Sequence, residues 1–277
     1  MRIKKGVAVV ATAAFALGLS ACGNEKSGAE GGKSANKVVV AASPVPHAEI
    51  LKFVATDLAP KHGYQLEVKE FNDYVQPNEA LKSKDVDANY FQTVPYLKEE
   101  SAKRGYDFEG GKGIHLEPLG IYSKKVKDLK QLKAGDSVGI IQDVVNQARA
   151  LKLLEANGII KLPAGKENVS VADIKASKEF NPKGLQFQEV DGPQLARSLE
   201  DVTIAVINGN YAQGGGLVPK AALALESPQN NPAVNILVWR KGEETEVIKK
   251  LDADLHSQEV KDFITKKYPN KDVIAAF

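Results

Sequence analysis

The sequence predicts an α/β fold of two lobes joined by two crossover strands that form a hinge. Three observations carry this. Short β-branched apolar runs alternate with segments at helical spacing; the alternation occurs as two separate strand–helix–strand–helix–strand series; and a strand-like segment follows each series. The first series opens with Lys37-Val-Val-Val-Ala-Ala-Ser43, too short for a helix and apolar on both faces, as a buried parallel strand is. After the turn residues Ser43 to Pro46, the segment from His47 to Leu58 carries Ile50, Leu51, Val54 and Leu58 at helical spacing, with Pro46 suited to the first turn. Tyr64 to Phe71 alternates apolar and polar as a strand, Asn78 to Lys82 begins a short helix, and Val86 to Phe91 reads as the third strand.

The second series runs Ser137 to Ile141 as strand, Val145 to Asn157 as helix stopped by Gly158, Leu185 to Val190 as strand, Pro193 to Leu199 as helix and Val202 to Asn208 as strand. Ile114 to Ser123 and Ala233 to Arg240 read as the crossover strands, which puts the hinge near Leu119 and Asn235 and Trp239 within the second crossing. Helical segments Glu246 to Leu255 and Ser257 to Lys267 return the chain to the first lobe. The lobes are therefore 38–120 with 235–277, and 121–234. Ligands in open α/β sheets sit beyond the carboxyl ends of the strands, so the residues just after each strand carry most weight.

The amino-terminal end fixes the expected compartment. Arg2, Lys4 and Lys5 precede an apolar run from Gly6 to Leu19, the pattern of a secretion signal and too short for a membrane-spanning helix of about 20 residues. Leu19-Ser20-Ala21-Cys22 resembles the lipobox of bacterial lipoproteins, which makes residues 1–21 the signal peptide and Cys22 the point of lipid attachment on the extracytoplasmic face of the cell membrane. Cys22 is the single cysteine, so no intramolecular disulfide can form. Residues 22–37 read as a flexible tether, since Gly23 to Lys37 hold no apolar side chain larger than alanine. Loss of residues 1–21 removes Arg2, Lys4 and Lys5, so 37 basic residues become 34 against 35 acidic ones. That balance, with no interleaved basic and aromatic stretch, excludes a nucleic-acid partner.

The inventory for catalysis is poor. His47, His62, His115 and His256 show no metal-ligand spacing, and neither a Gly-x-Ser-x-Gly elbow nor a Walker loop occurs, so no metal or other cofactor is expected. Gly214 to Gly216 does not open a helix after a strand and reads as a loop.

Five separated stretches instead resemble the NlpA-type family of methionine-binding lipoproteins of ABC importers. They are Ala42-Ser-Pro-Val-Pro-His-Ala-Glu-Ile-Leu51, Asp73-Tyr-Val-Gln-Pro-Asn-Glu-Ala-Leu81, Asp87-Ala-Asn-Tyr-Phe-Gln92 with Pro95-Tyr-Leu97, Leu116-Glu-Pro-Leu-Gly-Ile-Tyr-Ser123, and Ala205-Val-Ile-Asn-Gly-Asn-Tyr-Ala212. The ending Val273-Ile-Ala-Ala-Phe277 is similar too, so the resemblance covers nearly all of the mature chain. It implies a periplasmic-binding-protein-like fold, a small amino-acid ligand such as methionine held between the lobes, and delivery by a monomer to an ABC permease with its cytoplasmic ATPase. A binder of short methionine-containing peptides, a non-transport surface lipoprotein and a secreted enzyme on the same fold are the alternatives.

An amino-acid ligand needs a cation for its carboxylate, acceptors for its ammonium and an apolar slot. Arg149, one helical turn after Asn146, is the expected carboxylate partner through its two-pronged guanidinium. Asn208 ends a strand before Gly209 and offers donor and acceptor, whereas Asn210 is expected to point away. Tyr74 and Phe91 resemble the aromatic walls around the thioether, with core packing the other role open to Phe91. His115 either lines the cleft or is structural. Two departures from the family pattern stand out: Thr93 where Tyr-Phe-Gln-His is common, and Ile141-Gln-Asp-Val-Val-Asn146 where Pro-Asn-Asp-x-x-Asn is common.

Overall fold

The computed structural model describes residues 36–277. The expected signal peptide, Cys22 and all but the end of the tether lie outside the described residues. The first lobe begins β1 (Lys37–Ala42), α1 (Glu49–Phe53) between two wide helical turns, β2 (Gln65–Glu70), α2 (Gln76–Lys82), β3 (Ala88–Thr93), α3 (Val94–Arg104) and β4 (Phe108–Leu116). The second lobe follows as β5 (Gly120–Tyr122), β6 (Ser137–Ile141), α4 (Val144–Ala156), α5 (Val171–Lys175), β7 (Gln186–Val190), α6 (Leu195–Ser198), β8 (Ile204–Ile207), α7 (Gly209–Gly214) and β9 (Ala224–Leu225). The chain then returns to the first lobe with β10 (Val234–Arg240), α8 (Glu246–Leu255), α9 (Gln258–Lys267) and β11 (Ile274–Ala275).

The first sheet has the order β11-β4-β10-β3-β1-β2, with β1 parallel to β2 and β3 and with β10 antiparallel to both β3 and β4. The second has the order β7-β6-β8-β5-β9, with β6 parallel to β7 and β8. Each sheet is covered on both faces. Val38, Val40 and Ala42 of β1 enter a core with Ile50, Leu51, Leu251 and Ile264, while Ala41 enters a second core with Leu81 and Val238. In the second lobe Val138 and Ile140 pack with Leu151 and Leu154 of α4, and Ala205 and Ile207 with Leu195 on the other side. Two-sided burial is what makes β1, β6 and β8 read as continuous apolar runs.

The structure departs from the sequence reading at the crossings. Ile114 to Ser123 is not one strand: β4 ends in the first sheet, Glu117 to Leu119 cross, and β5 starts the second. The second crossing is residues 226–233, whose Pro228, Pro232, Asn230 and Asn231 suit no ladder position. β10 lies wholly in the first sheet, where Asn235 pairs with Thr93 and His115. Trp239 is accordingly a core residue of the first lobe rather than part of a crossing. Helix α3 has no counterpart in the sequence reading because most of its surface is polar. It starts where the Thr93 hydroxyl accepts the Tyr96 amide at 3.4 Å, and stops at Gly105, in the left-handed region at φ 67°. The glycines of β4 hid its first half. At Gly110 a Cβ would come within 2.5 Å of Ile236 Cδ1, so a larger residue there would have to displace the end of that buried side chain.

Candidate functional site

Three changes from strand to helix bring polar side chains to one place. β3 ends at Thr93, which caps α3; β6 leads to Asp143, whose carboxylate caps α4 by accepting the Asn146 amide at 2.9 Å; β8 leads to Asn208 at the start of α7. Together with the crossing residue Glu117 they surround a small cavity of about 30 Å³ between the lobes. Its first-lobe wall is His47, Tyr74, Phe91, Gln92, Thr93, Tyr96 and Asn235; its second-lobe wall is Asn146, Arg149, Asn208, Gly209 and Asn210.

Tyr74, Phe91 and Tyr96 form an aromatic triangle with ring centres 5.8 to 6.0 Å apart. Tyr74 also reaches across the cleft, stacking on Tyr211 at 4.8 Å and donating its hydroxyl to Asn210 Oδ1 at 2.6 Å. On the opposite side the guanidinium of Arg149 donates from Nε to Glu226 Oε1 at 2.7 Å and from Nη2 to Glu226 Oε2 at 2.5 Å and to the Glu117 carbonyl at 2.8 Å. Asn208 Nδ2 donates to Asn146 Oδ1 at 2.9 Å, and Asn146 Nδ2 in turn to Asp143 Oδ1 at 3.1 Å. Asn208 Oδ1, by contrast, is buried with no hydrogen-bond partner among the described residues.

Behind the cavity runs a buried chain of hydrogen bonds. The Tyr90 hydroxyl bonds His115 Nδ1, His115 Nε2 donates to Glu117 Oε1 at 2.8 Å, and His47 Nε2 lies 3.0 Å from Asn235 Oδ1 and 3.3 Å from the same Glu117 oxygen. Burial pushes His47 down to about 4, against the pull of Glu117, and His115 down to about 3. Burial also pushes the Glu117 carboxyl up to about 6, opposed by His47, Arg149 and the Asn210 amide. At neutral pH both imidazoles are therefore neutral and Glu117 is an anion. His47, His115 and Glu117 offer ligand atoms within 4.8 Å of one another, a set that a cation could use, but Nε2 of both imidazoles and Oε1 of Glu117 are engaged with each other and with Asn235.

Of the residues picked from the sequence, the structure brings Tyr74, Phe91, Thr93, Asn146, Arg149 and Asn208 to the cavity. His115 does not line it: the ring is fully buried behind Glu117. Asn210 does line it, contrary to the expectation that it points away, because β8 ends at Ile207 and Asn210 already belongs to the first turn of α7. The two-pronged edge of Arg149 expected to hold a ligand carboxylate is taken by Glu226, a residue of the second crossing. His47, Glu117, Tyr96, Gln92 and Asn235 line the cavity as well, beyond the binding residues expected from the sequence. The first four stand inside the matching motifs, and Asn235 begins an apolar strand, where an asparagine that must be buried is itself a signal.

A profile of the NlpA lipoprotein family matches residues 38–277. The chain is 45% identical over 259 residues to the methionine-binding lipoprotein MetQ of Bacillus subtilis, covering 92% of each. It superposes with a TM-score of 0.82 and 41% identity on a nutrient binding protein from Burkholderia cenocepacia bound to methionine, covering 87% of this chain and all of that one. It superposes at 0.80 with 37% identity on an ABC transporter periplasmic substrate-binding protein from Coxiella burnetii, covering 86% and 100%.

Proposed function

The chain belongs to the NlpA lipoprotein family, and from that premise we propose that it is the extracytoplasmic substrate-binding lipoprotein of an ABC importer, capturing methionine or a close analogue. Capture is by burial between two lobes, without bond-making, and handover occurs when the permease and its ATPase open the cleft. The observation that carries the ligand class is Asn208 Oδ1, a buried acceptor with no donor at the wall of a cavity that also holds the Glu117 carboxylate. An unmet buried acceptor beside a buried anion asks for an ammonium group. The aromatic triangle suits a thioether, since sulfur contacts with ring edges are favourable. The ligand carboxylate then meets Arg149 end-on, through the nitrogen that Glu226 does not use.

Cys22 is the proposed lipid attachment site. Cys22→Ala is expected to release the protein from membranes, and a variant that still sediments with them would refute the anchor. The ligand class is tested by mass spectrometry of what the purified protein releases on denaturation, with calorimetry of both enantiomers of methionine. Release of unmodified methionine and tight binding of it support the reading; release of a chemically altered product, or no heat with either enantiomer, sinks it. A groove that shares Thr93, Asn146 and Arg149 with the cavity and continues along α4 to Asn157 supports a second reading, a short methionine-containing peptide. The same experiment separates the two by mass.

A further inference from the structure

We propose that Glu226 determines ligand specificity: by neutralising Arg149 it leaves the cavity net negative, so that a ligand must bring its own ammonium group. This rests on the amino-acid reading above. Among the described residues Arg149 is the one permanent cation lining the cavity, and Glu226, which does not line it, holds the guanidinium by two hydrogen bonds of 2.7 and 2.5 Å. Both side chains are largely shielded, at 14% and 16% exposure, so their charges cancel with little help from solvent. Glu226 is itself fixed from behind. Its amide donates to the Leu119 carbonyl at 2.8 Å and its Oε2 accepts the Leu119 amide at 3.2 Å, which ties the second crossing to the first.

With Arg149 cancelled, the charge left at the wall is the Glu117 anion, and the oxygens of Asp143 face Asn146 close by. A zwitterion satisfies this wall by placing its ammonium at Glu117 and Asn208 Oδ1. A ligand of the same shape lacking the ammonium adds a second negative charge where no surplus cation exists. A ligand lacking the carboxylate remains acceptable. This reverses the discrimination that a free Arg149 would impose.

The test is calorimetry with three probes of nearly equal shape: methionine, methioninamide as the cation and 4-(methylthio)butanoate as the anion. Wild type should prefer the amide to the anion. Glu226→Gln, which keeps the side chain's shape and one acceptor but gives up a hydrogen bond and frees the charge of Arg149, should move the amide-to-anion ratio toward the anion by about tenfold or more, the scale of one unit charge in a shielded site. Glu226→Asp keeps the charge and should keep the wild-type preference. A merely structural role would weaken both probes by one common factor, and that result would overturn the proposal. A wild type that binds the anion as tightly as the amide overturns it without any variant. If wild type binds none of the three, the amino-acid reading falls and this one with it; if it binds methionine and Glu226→Gln leaves the ratio unchanged, only the assignment of Glu226 falls.

Discussion

A guanidinium held by a carboxylate from another segment behaves differently from a free one, and Arg149 shows how. Removing it deletes the proposed ligand contact and also leaves the Glu226 charge without its cation in a shielded place, which costs on the order of 3 kcal/mol. Arg149→Ala should therefore lower both binding and stability, while the double change Arg149→Ala with Glu226→Ala should recover much of the stability and none of the binding. Urea unfolding beside calorimetry checks this, and a single variant as stable as wild type would contradict it. Asn208→Ala deletes the unmet acceptor and also the donor to Asn146, so affinity for methionine should fall by about tenfold or more with a smaller change in the unfolding midpoint. Equal affinity in that variant would place the ammonium elsewhere.

The junctions between strands and helices do most of the positioning. Gly209 opens α7 directly against the first crossing: a Cβ there would lie 2.6 Å from Glu117 Cβ and 3.4 Å from the Pro118 carbonyl. Gly209→Ala must push Glu117 or α7 aside, so it should weaken ligand binding more than it lowers stability, the latter by about 1–3 kcal/mol. Unchanged affinity would show that Glu117 has room to move. Thr93 both lines the cavity and caps α3, so Thr93→His enlarges the side-chain wall and also removes a cap worth about 1 kcal/mol. Trp239 sits in the first-lobe core, four residues beyond Asn235 along β10 and away from the crossings. Its fluorescence should change little on ligand binding, and a large shift would mean that closure reaches into that core.

At the scale of the molecule the lobes are drawn together by Tyr74 against Asn210 and Tyr211 and by Asn168 reaching Glu99 at 3.4 Å. Ligand should therefore favour a compact form, seen as a smaller radius of gyration by solution scattering; an unchanged profile at saturation would count against closure. The buried titratable groups set the pH response. His47 and His115 fall from an ordinary 6.5 to about 4 and about 3, so the unfolded chain takes up protons first and stability drops as pH falls through that range. Glu117 and Asp143, raised by burial to about 6 from 4.5 and 3.8, take up protons first in the folded state and act in the opposite sense. The two effects offset between about 6 and 4.5, and the histidine loss dominates below. Denaturant midpoints should drop between 6.5 and 6, stay nearly flat to about 4.5 and decline gently beneath it, while affinity for methionine should already weaken as Glu117 is protonated near pH 6. A midpoint that fell evenly from pH 7 would contradict the balance.

Much of the order of strands and helices is legible in the sequence because those elements announce themselves locally: β1, β6 and β8 by continuous apolar runs, α8 by its apolar stripe, α4 by its apolar spacing and the glycine after it, while the polar α3 and the glycine-rich start of β4 do not. The motifs that mark the family also contain most of the cavity wall, so the resemblance points to Tyr74, Phe91 and Asn208, and to Asn146 as the asparagine kept at the end of an otherwise altered loop. Two kinds of fact needed the folded chain. Side-chain direction at a junction depends on where the strand stops, which decided that Asn210 faces the cavity and that His115 hides behind Glu117. Long-range pairing depends on how two sheets meet, which is why the sequence alone offers Arg149 to a ligand carboxylate when Glu226, 77 residues away, already holds it. Local pattern encodes what each segment buries, but the charge of a site is the sum over groups that only tertiary packing brings within a few ångströms of each other.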